Sequence, residues 1–232
     1  PVAKLDATRG YGAEVVLYDR YTEDREAIAA SLADEHGMTI VPPFDDDLVM
    51  AGQGTAALEL LEDTAADGPL DVLVVCVGGG GLISGCATVA KAISPRTRVV
   101  GVEPAVRDVA RASLATGDLV VAPVPTTIAD GQQGDRLGRR TLEVMRARVD
   151  EVVAVTDDEI RAAMRVLLDR MKQVVEPSGA SALAAVLSGT IEVTDLRVGV
   201  TLSGGNVGLE RFVSLMQDAP HPRVAAGATD RR

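Results

Sequence analysis

The sequence predicts an α/β fold: an open, mostly parallel, twisted sheet with helices on both faces. Three observations predict it. Strand-like and helix-like patterns alternate along most of the 232 residues, which is the mark of βαβ units. The run from Asp71 to Val77 is apolar after its first residue, as a parallel strand covered on both faces requires. Two apolar runs end in glycine clusters, Gly78–Gly81 and Ser203-Gly204-Gly205-Asn206. In open α/β sheets, ligands bind beyond such strand ends.

Taken in order, Ala13–Tyr18 (AEVVLY) reads as a short β-branched strand. Thr22 opens a helical pattern that runs to His36 and stops at Gly37. Met38–Val41 reads as a second strand, closed by Pro42 and Pro43. Ala56–Leu61 begins another helix, Asp71–Val77 is the buried strand, and helical character returns over Leu82–Ile93. Arg98–Val102 is again a strand. Thr156 and Glu159 have capping-box spacing. The apolar series Ile160, Ala163, Met164, Leu167, Leu168 and Met171 then follows helical periodicity. Ser181–Leu187 is a short helical segment, and Arg197–Leu202 is the last buried strand. The final stretch from Asp218 loses periodicity and reads as a loose tail.

Composition narrows the function. Acidic residues outnumber Lys and Arg by 34 to 23, for a net charge of −11, which argues against nucleic acid as a partner. No apolar run approaches the roughly 20 residues that cross a bilayer, so no membrane partner is expected. The start carries no apolar h-region, so no signal peptide is expected. Cys76 and Cys86 flank the glycine run without C-x-x-C spacing and read as buried, reduced thiols of a cytoplasmic protein. His36 and His221 have no ligand-spaced partner. Lys4, Lys91 and Lys172 are the only lysines.

Four successive glycines between a buried strand and a helix let several backbone N–H groups converge, and the helix dipole adds positive character. The chemical reading is a phosphate site at Gly78–Gly81; the plain reading is a tight turn where helix and strand pack closely. A dinucleotide fingerprint does not fit. Gly78-x-Gly80 meets Ile83 where a glycine or alanine belongs, and Gly79-x-Gly81 meets Ser84. Glu103 does end the next strand, where a ribose-binding acid lies in nucleotide folds. The Gly-Lys-Ser/Thr of a phosphate loop is missing from the sequence.

The loop Gly78–Gly85 (GGGGLISG) occurs with Ala51–Thr55 (AGQGT), Val102-Glu103-Pro104, Thr127–Gly131, Val175-Glu176-Pro177 and Leu202–Asn206 (LSGGN). In that order they resemble the serine/threonine dehydratase family of fold-type II pyridoxal phosphate enzymes, which includes threonine dehydratase and serine racemase. The resemblance runs from Pro1 to about Leu215. It implies that Gly78, Gly79, Gly80 and Gly81, with the N–H of Leu82, hold the phosphate of pyridoxal 5'-phosphate. It implies that Ser203 hydrogen-bonds the pyridine nitrogen and that Glu176 lies near the ring; a helix-start acid is the plain alternative for Glu176. A serine partner leaves the ring a weaker electron sink, which suits β-elimination.

The family's Schiff-base lysine, in a Ser-Phe-Lys-like motif, and its Asn-rich substrate loop have no counterpart in the sequence. Pro1–Lys4 resembles the Pro-x-x-Lys stretch that follows both. Lys91 stands late in its helix, roughly 12–15 Å along it from the phosphate end at about 1.5 Å per residue, and Lys172 ends an amphipathic helix. The expectation is therefore an N-terminally incomplete chain with no catalytic residue of its own, inactive alone. Its parts would be residues 1–48 as the end of the small domain, 49–217 as the large cofactor-binding domain, and 218–232 as the tail. In racemase-like members a divalent cation binds after the Glu-Pro motif. Glu103 matches the first ligand, but Val109 stands where the next acid belongs and Asp108 is one place early, so no metal is expected.

The resemblance implies a lyase that takes L-threonine, L-serine or a related 3-hydroxy amino acid to a 2-oxo acid and ammonia. A base removes the α-proton, the β-hydroxyl leaves, and the aminoacrylate product hydrolyses. A homodimer is implied for the full-length protein. The alternatives are a non-catalytic remnant that binds or regulates, a serine racemase-like enzyme and, last, a nucleotide-binding protein using Glu103.

Overall fold

The structure is a computed structural model that describes residues 2–19, 22–217 and 219–220. The chain divides into two compact units, Pro1–Pro42 and Pro43–Arg232. The expected boundary after residue 48 falls inside the second unit. The expected tail, 218–232, lies outside the described residues except for 219 and 220.

The first unit holds helices α1 (Val2–Gly10) and α2 (Arg25–His36). Helix α2 is capped by Asp24, whose carboxylate accepts the N–H groups of Glu26 and Ala27 at 2.9 and 3.1 Å. The predicted start at Thr22 is thus displaced to a stronger cap. Gly37 ends the helix in the left-handed region, at φ 64°, as predicted. Ala13–Tyr18 and Met38–Val41 do not form the predicted strands. A β-branched run becomes a strand only where a neighbour takes its backbone hydrogen bonds, and no ladder among the described residues includes either run.

The second unit carries α3 (Asp47–Thr64), β1 (Val72–Cys76), α4 (Gly81–Ile93), β2 (Arg98–Pro104) and α5 (Ala110–Thr116). It continues with α6 (Arg139–Arg148), β3 (Glu151–Val155), α7 (Asp157–Val166), α8 (Pro177–Leu187), β4 (Val198–Val200) and α9 (Leu209–Gln217). Helix α3 starts at Asp47, not near Ala56, because Asp46 caps it through the N–H groups of Leu48 and Val49 at 2.9 and 3.1 Å. Gly52 and Gly54 break the periodicity of its first half. Gly54 is needed where it stands: a Cβ there would lie 2.9 Å from the Gly85 carbonyl oxygen, so two glycines set the close crossing of α3 and α4. The Thr156–Glu159 capping box forms in both directions. Helix α7 then widens into a π-turn over Leu167–Met171, which ends at Lys172 with φ 57°. Helix α8 begins at Pro177 rather than Ser181, with the proline in the first turn, where its missing N–H costs nothing.

The four described strands lie in the order β3-β2-β1-β4 and every pairing is parallel. Val74 faces Val100 on one side and Val200 on the other. Alternate residues feed the two faces. Val72, Val74, Val100 and Val102 pack with α7, α8 and α9 through Ile160, Met164, Ala180, Ala184 and Phe212. Leu73, Val75 and Val99 pack with α3, α4 and α6 through Leu61, Ile83, Cys86 and Met145. Both faces are covered, so β1 is buried along its whole length, which explains its unbroken apolar run. Each such side chain stabilises the fold by about 1.5–3 kcal/mol.

Candidate active site

From β1 the sheet grows to β2 and then β3 on one side, and β4 is laid on the opposite side of β1. The loops that leave β1 and β4 therefore part at a topological switch point, the place where open α/β sheets bind ligands. These are the two glycine loops. Their strand ends touch: Cys76 Sγ and Ser203 Oγ are 3.2 Å apart and share a hydrogen bond.

The loop after β1 is held from behind. Gly80 sits at φ 98°, open to glycine and strained for other residues. A Cβ on Gly78 would lie 2.9 Å from the Gly131 carbonyl oxygen, one on Gly80 2.8 Å from Thr141 Cβ, and one on Gly81 3.0 Å from Phe44 Cβ. A Cβ on Gly79 would run into the Phe44 ring. The carbonyls turn toward this packed side. Gly79 O accepts from Thr141 Oγ1 at 2.7 Å and from the Gly138 N–H at 3.1 Å, and Gly78 O accepts from Arg107 at 3.0 Å. Helix α4 has no side-chain cap, and no described residue accepts a hydrogen bond from the N–H groups of Gly78 to Leu82. The turn is thus compatible with both readings of the glycine run. Close packing demands glycine, and the same turn presents a row of open N–H groups at a helix N-terminus.

Sequence reasoning missed the supports of this loop. Asp45 caps α6, accepting the N–H groups of Arg139, Arg140 and Thr141 at 3.1, 2.9 and 3.2 Å, and so fixes neighbouring Phe44 over Gly79. Gln132 Nε2 bridges the carbonyl oxygens of Val77 and Val102 at 3.1 and 2.9 Å, tying the carboxyl ends of β1 and β2 together. The run Asp45-Asp46-Asp47 signals only the start of α3, which Asp46 caps; nothing local points from Asp45 to α6.

Ser203 is exposed in the loop after β4. Glu176 precedes α8; its N–H donates to the Gly204 carbonyl at 3.0 Å, and a Cβ on Gly204 would lie 2.7 Å from Glu176 Oε1. Glu176 thus stands against the loop that carries Ser203. Burial pushes the Cys76 thiol up, against the Ser203 hydrogen bond, and the Glu176 charge adds to the rise. Ser203 therefore meets a thiol, not a thiolate.

Glu103 is fully buried and pairs with Arg107 at 2.9 Å. It also accepts the N–H groups of Val109, Ala110 and Arg111 at 3.1, 2.9 and 3.0 Å. It is not presented to a ribose, which removes the basis of the nucleotide alternative. Asp108 pairs with Arg111 at the surface, at 2.8 Å. Among the described residues no cluster of His, Cys, Asp or Glu has metal-binding geometry, and no helix is long and apolar enough to cross a membrane.

Residues 1–204 match the family model described as pyridoxal-phosphate dependent enzyme. The chain belongs to that family. It is 48% identical over 217 residues to an L-threo-3-hydroxyaspartate ammonia-lyase of Pseudomonas sp, covering 94% of this chain and 67% of that protein. It is 43% identical to a serine racemase of Schizosaccharomyces pombe, covering 93% of this chain and 66% of that protein. The crystal structure of the T.th. threonine deaminase superposes with a TM-score of 0.81 at 44% identity, covering 89% of this chain and 67% of the other. A maize serine racemase gives a TM-score of 0.84 at 36% identity, covering 94% of this chain and 66% of the other. The chain spans about two thirds of the length of these relatives.

The residues present fit the two ends of the family's cofactor. Open N–H groups at the start of α4 suit a phosphate, and the Ser203 hydroxyl stands on the adjacent strand end. The lysines of the second unit lie elsewhere. Lys91 donates to Asp150 at 2.6 Å and to the Thr97 carbonyl at 2.9 Å. Lys172 donates to the Asp169 carbonyl at 2.7 Å, beyond the π-turn. Lys4 belongs to α1 of the first unit.

Proposed function

We propose that this chain is the cofactor-holding part of an ammonia-lyase that performs β-elimination on a small 3-hydroxy amino acid, giving a 2-oxo acid and ammonia. The observation that carries this reading is the meeting of the Gly78–Gly81 loop and Ser203 at one switch point, joined through Cys76 at 3.2 Å. When bound, pyridoxal phosphate supplies the electron-withdrawing ring that this chemistry needs. The N–H groups of Gly78 to Leu82 bind its phosphate, with the α4 dipole behind them. The Ser203 hydroxyl donates to the pyridine nitrogen and leaves it without a proton, which favours a route whose leaving group takes the electrons. Cys76, kept as a thiol, orients that hydroxyl. Glu176 walls the same loop.

The base that removes the α-proton is proposed to lie outside this chain, because Lys91 and Lys172 are engaged away from the site. L-Serine, L-threonine and L-threo-3-hydroxyaspartate are the substrates to try, after the names of the relatives. The buried free thiols Cys76 and Cys86 support a reducing, cytoplasmic setting, and the family resemblance supports a homodimer.

The test measures 2-oxo acid released from each substrate with pyridoxal phosphate present. The 232-residue chain is expected to release none. The chain joined to the lysine-bearing N-terminal region of a relative is expected to turn over at least one of the three. Release by the chain alone would overturn the external base, and silence of the completed enzyme would overturn the lyase reading.

A further inference from the structure

The guanidinium of Arg107 is enclosed by oxygen. Nη1 donates to Glu103 Oε2 at 2.9 Å, Nε to the Gly134 carbonyl at 2.9 Å, and Nη2 to the carbonyls of Gly78 at 3.0 Å and Arg136 at 3.4 Å. Neither side chain of the Glu103–Arg107 pair is exposed. The oxygens come from three segments: the end of β2, the loop after β1, and the stretch 134–136. One carboxylate and three carbonyls form the kind of oxygen set that hard divalent cations take. Here an arginine of the same chain fills it.

The bond to Gly78 has a directional effect. A trans peptide places its C=O and the following N–H on opposite sides of one plane. With the Gly78 carbonyl fixed toward Arg107, the Gly79 N–H must point away, into the open side of the loop. The Gly79 carbonyl, held by Thr141 and Gly138, aims the Gly80 N–H in the same way. The Thr141 and Gly138 anchors are neutral; the anchor at Gly78 is a buried, ion-paired cation.

We propose that Arg107 is a positioning residue for the phosphate cradle: a built-in cation that bridges Glu103 to the Gly78 carbonyl, sets the Gly79 N–H toward the bound phosphate, and makes a divalent cation unnecessary there. This rests on the cofactor reading above. A guanidinium suits the task because its fork reaches several acceptors in fixed geometry, which an ammonium does not.

The test compares the affinity of the 232-residue chain for pyridoxal 5'-phosphate and for pyridoxal, by equilibrium dialysis, with EDTA or millimolar Mg²⁺. The ratio of the two constants reports the phosphate alone. In the unaltered chain the ratio is expected to be the same with EDTA and with Mg²⁺. In Arg107→Met it should fall by about tenfold or more, the scale of one charge-assisted hydrogen bond, with pyridoxal affinity unchanged. Arg107→Ala, which empties the oxygen set, should regain part of the ratio with Mg²⁺. Should Arg107→Met fail to fold, the paired variant Glu103→Gln/Arg107→Met, which buries no lone charge, replaces it. An equal loss for both ligands would mean a merely structural role and overturn the proposal. So would a ratio in the unaltered chain that rises with Mg²⁺.

If the unaltered chain does not prefer the phosphorylated ligand, the cofactor reading fails and Arg107 is judged on amide hydrogen exchange. Faster exchange at Gly138, whose N–H donates to the Gly79 carbonyl, in the variant, with Val72–Cys76 still protected, supports the tether. Unchanged exchange at Gly138 overturns it.

Discussion

At the scale of single residues, two side chains carry the sharpest expectations. Ser203 is the proposed nitrogen partner, and Ser203→Ala removes that hydrogen bond to the cofactor together with the bond to Cys76. Cofactor binding should weaken by about 1 kcal/mol, the net worth of such a bond, measurable by titration of the cofactor's absorbance. Cys86 is a different kind of residue. It is fully buried, and burial pushes its thiol up to about 11 from a usual 9.0. Its folded form holds the proton after the unfolded form has lost it, so the contribution to stability is complete below pH 9 and lost between pH 9 and about 11. The loss is roughly 3 kcal/mol. Denaturant midpoints measured from pH 8 to 11 should fall along that window, and Cys86→Ala should flatten the fall.

At the scale of elements, the contact of α3 with α4 is the tightest feature near the site. A Cβ on Gly85 would strike the Met50 carbonyl and lie 2.5 Å from the Gly54 N. These are backbone atoms, which cannot swing aside as a side chain does. Gly85→Ala should therefore destabilise the fold by about 1–3 kcal/mol, read as a lower thermal midpoint, with α4 drawn off the glycine loop. This scale also shows what the sequence could and could not reveal. Strand β1, the start of α4 and the Thr156 capping box were legible because their signals are local: an apolar run, a glycine cluster, a four-residue motif. The first turn of helix α8 escapes a sequence reading because Glu176-Pro177-Ser178-Gly179 resembles a turn, and only its near-complete burial among small side chains makes it a helix. The runs at Ala13–Tyr18 and Met38–Val41 failed for the converse reason. Their local signal was sound, but a strand exists only with a neighbour, and the sequence pattern does not name one.

At the scale of the whole molecule, the glycine loops and Ser203 were legible as a site because the family motifs that carry them stand in order along the chain. The groups behind them were not. Phe44, Asp45, Gln132 and Arg107 act from distant segments through backbone carbonyls and N–H groups, and such contacts leave no spacing pattern. The site is thus a thin, open layer of N–H groups on a thick, closed backing. Every substitution at Gly78, Gly79, Gly80 or Gly81 meets that backing, or at Gly80 a forbidden backbone angle as well, before any anion is offered to it. In a deep mutational scan the four positions would drop out as folding failures whether or not the assay contained cofactor. On the proposed cofactor reading, folding and anion binding cannot be varied separately at this loop, and altered anion preference has to arise from the residues behind it.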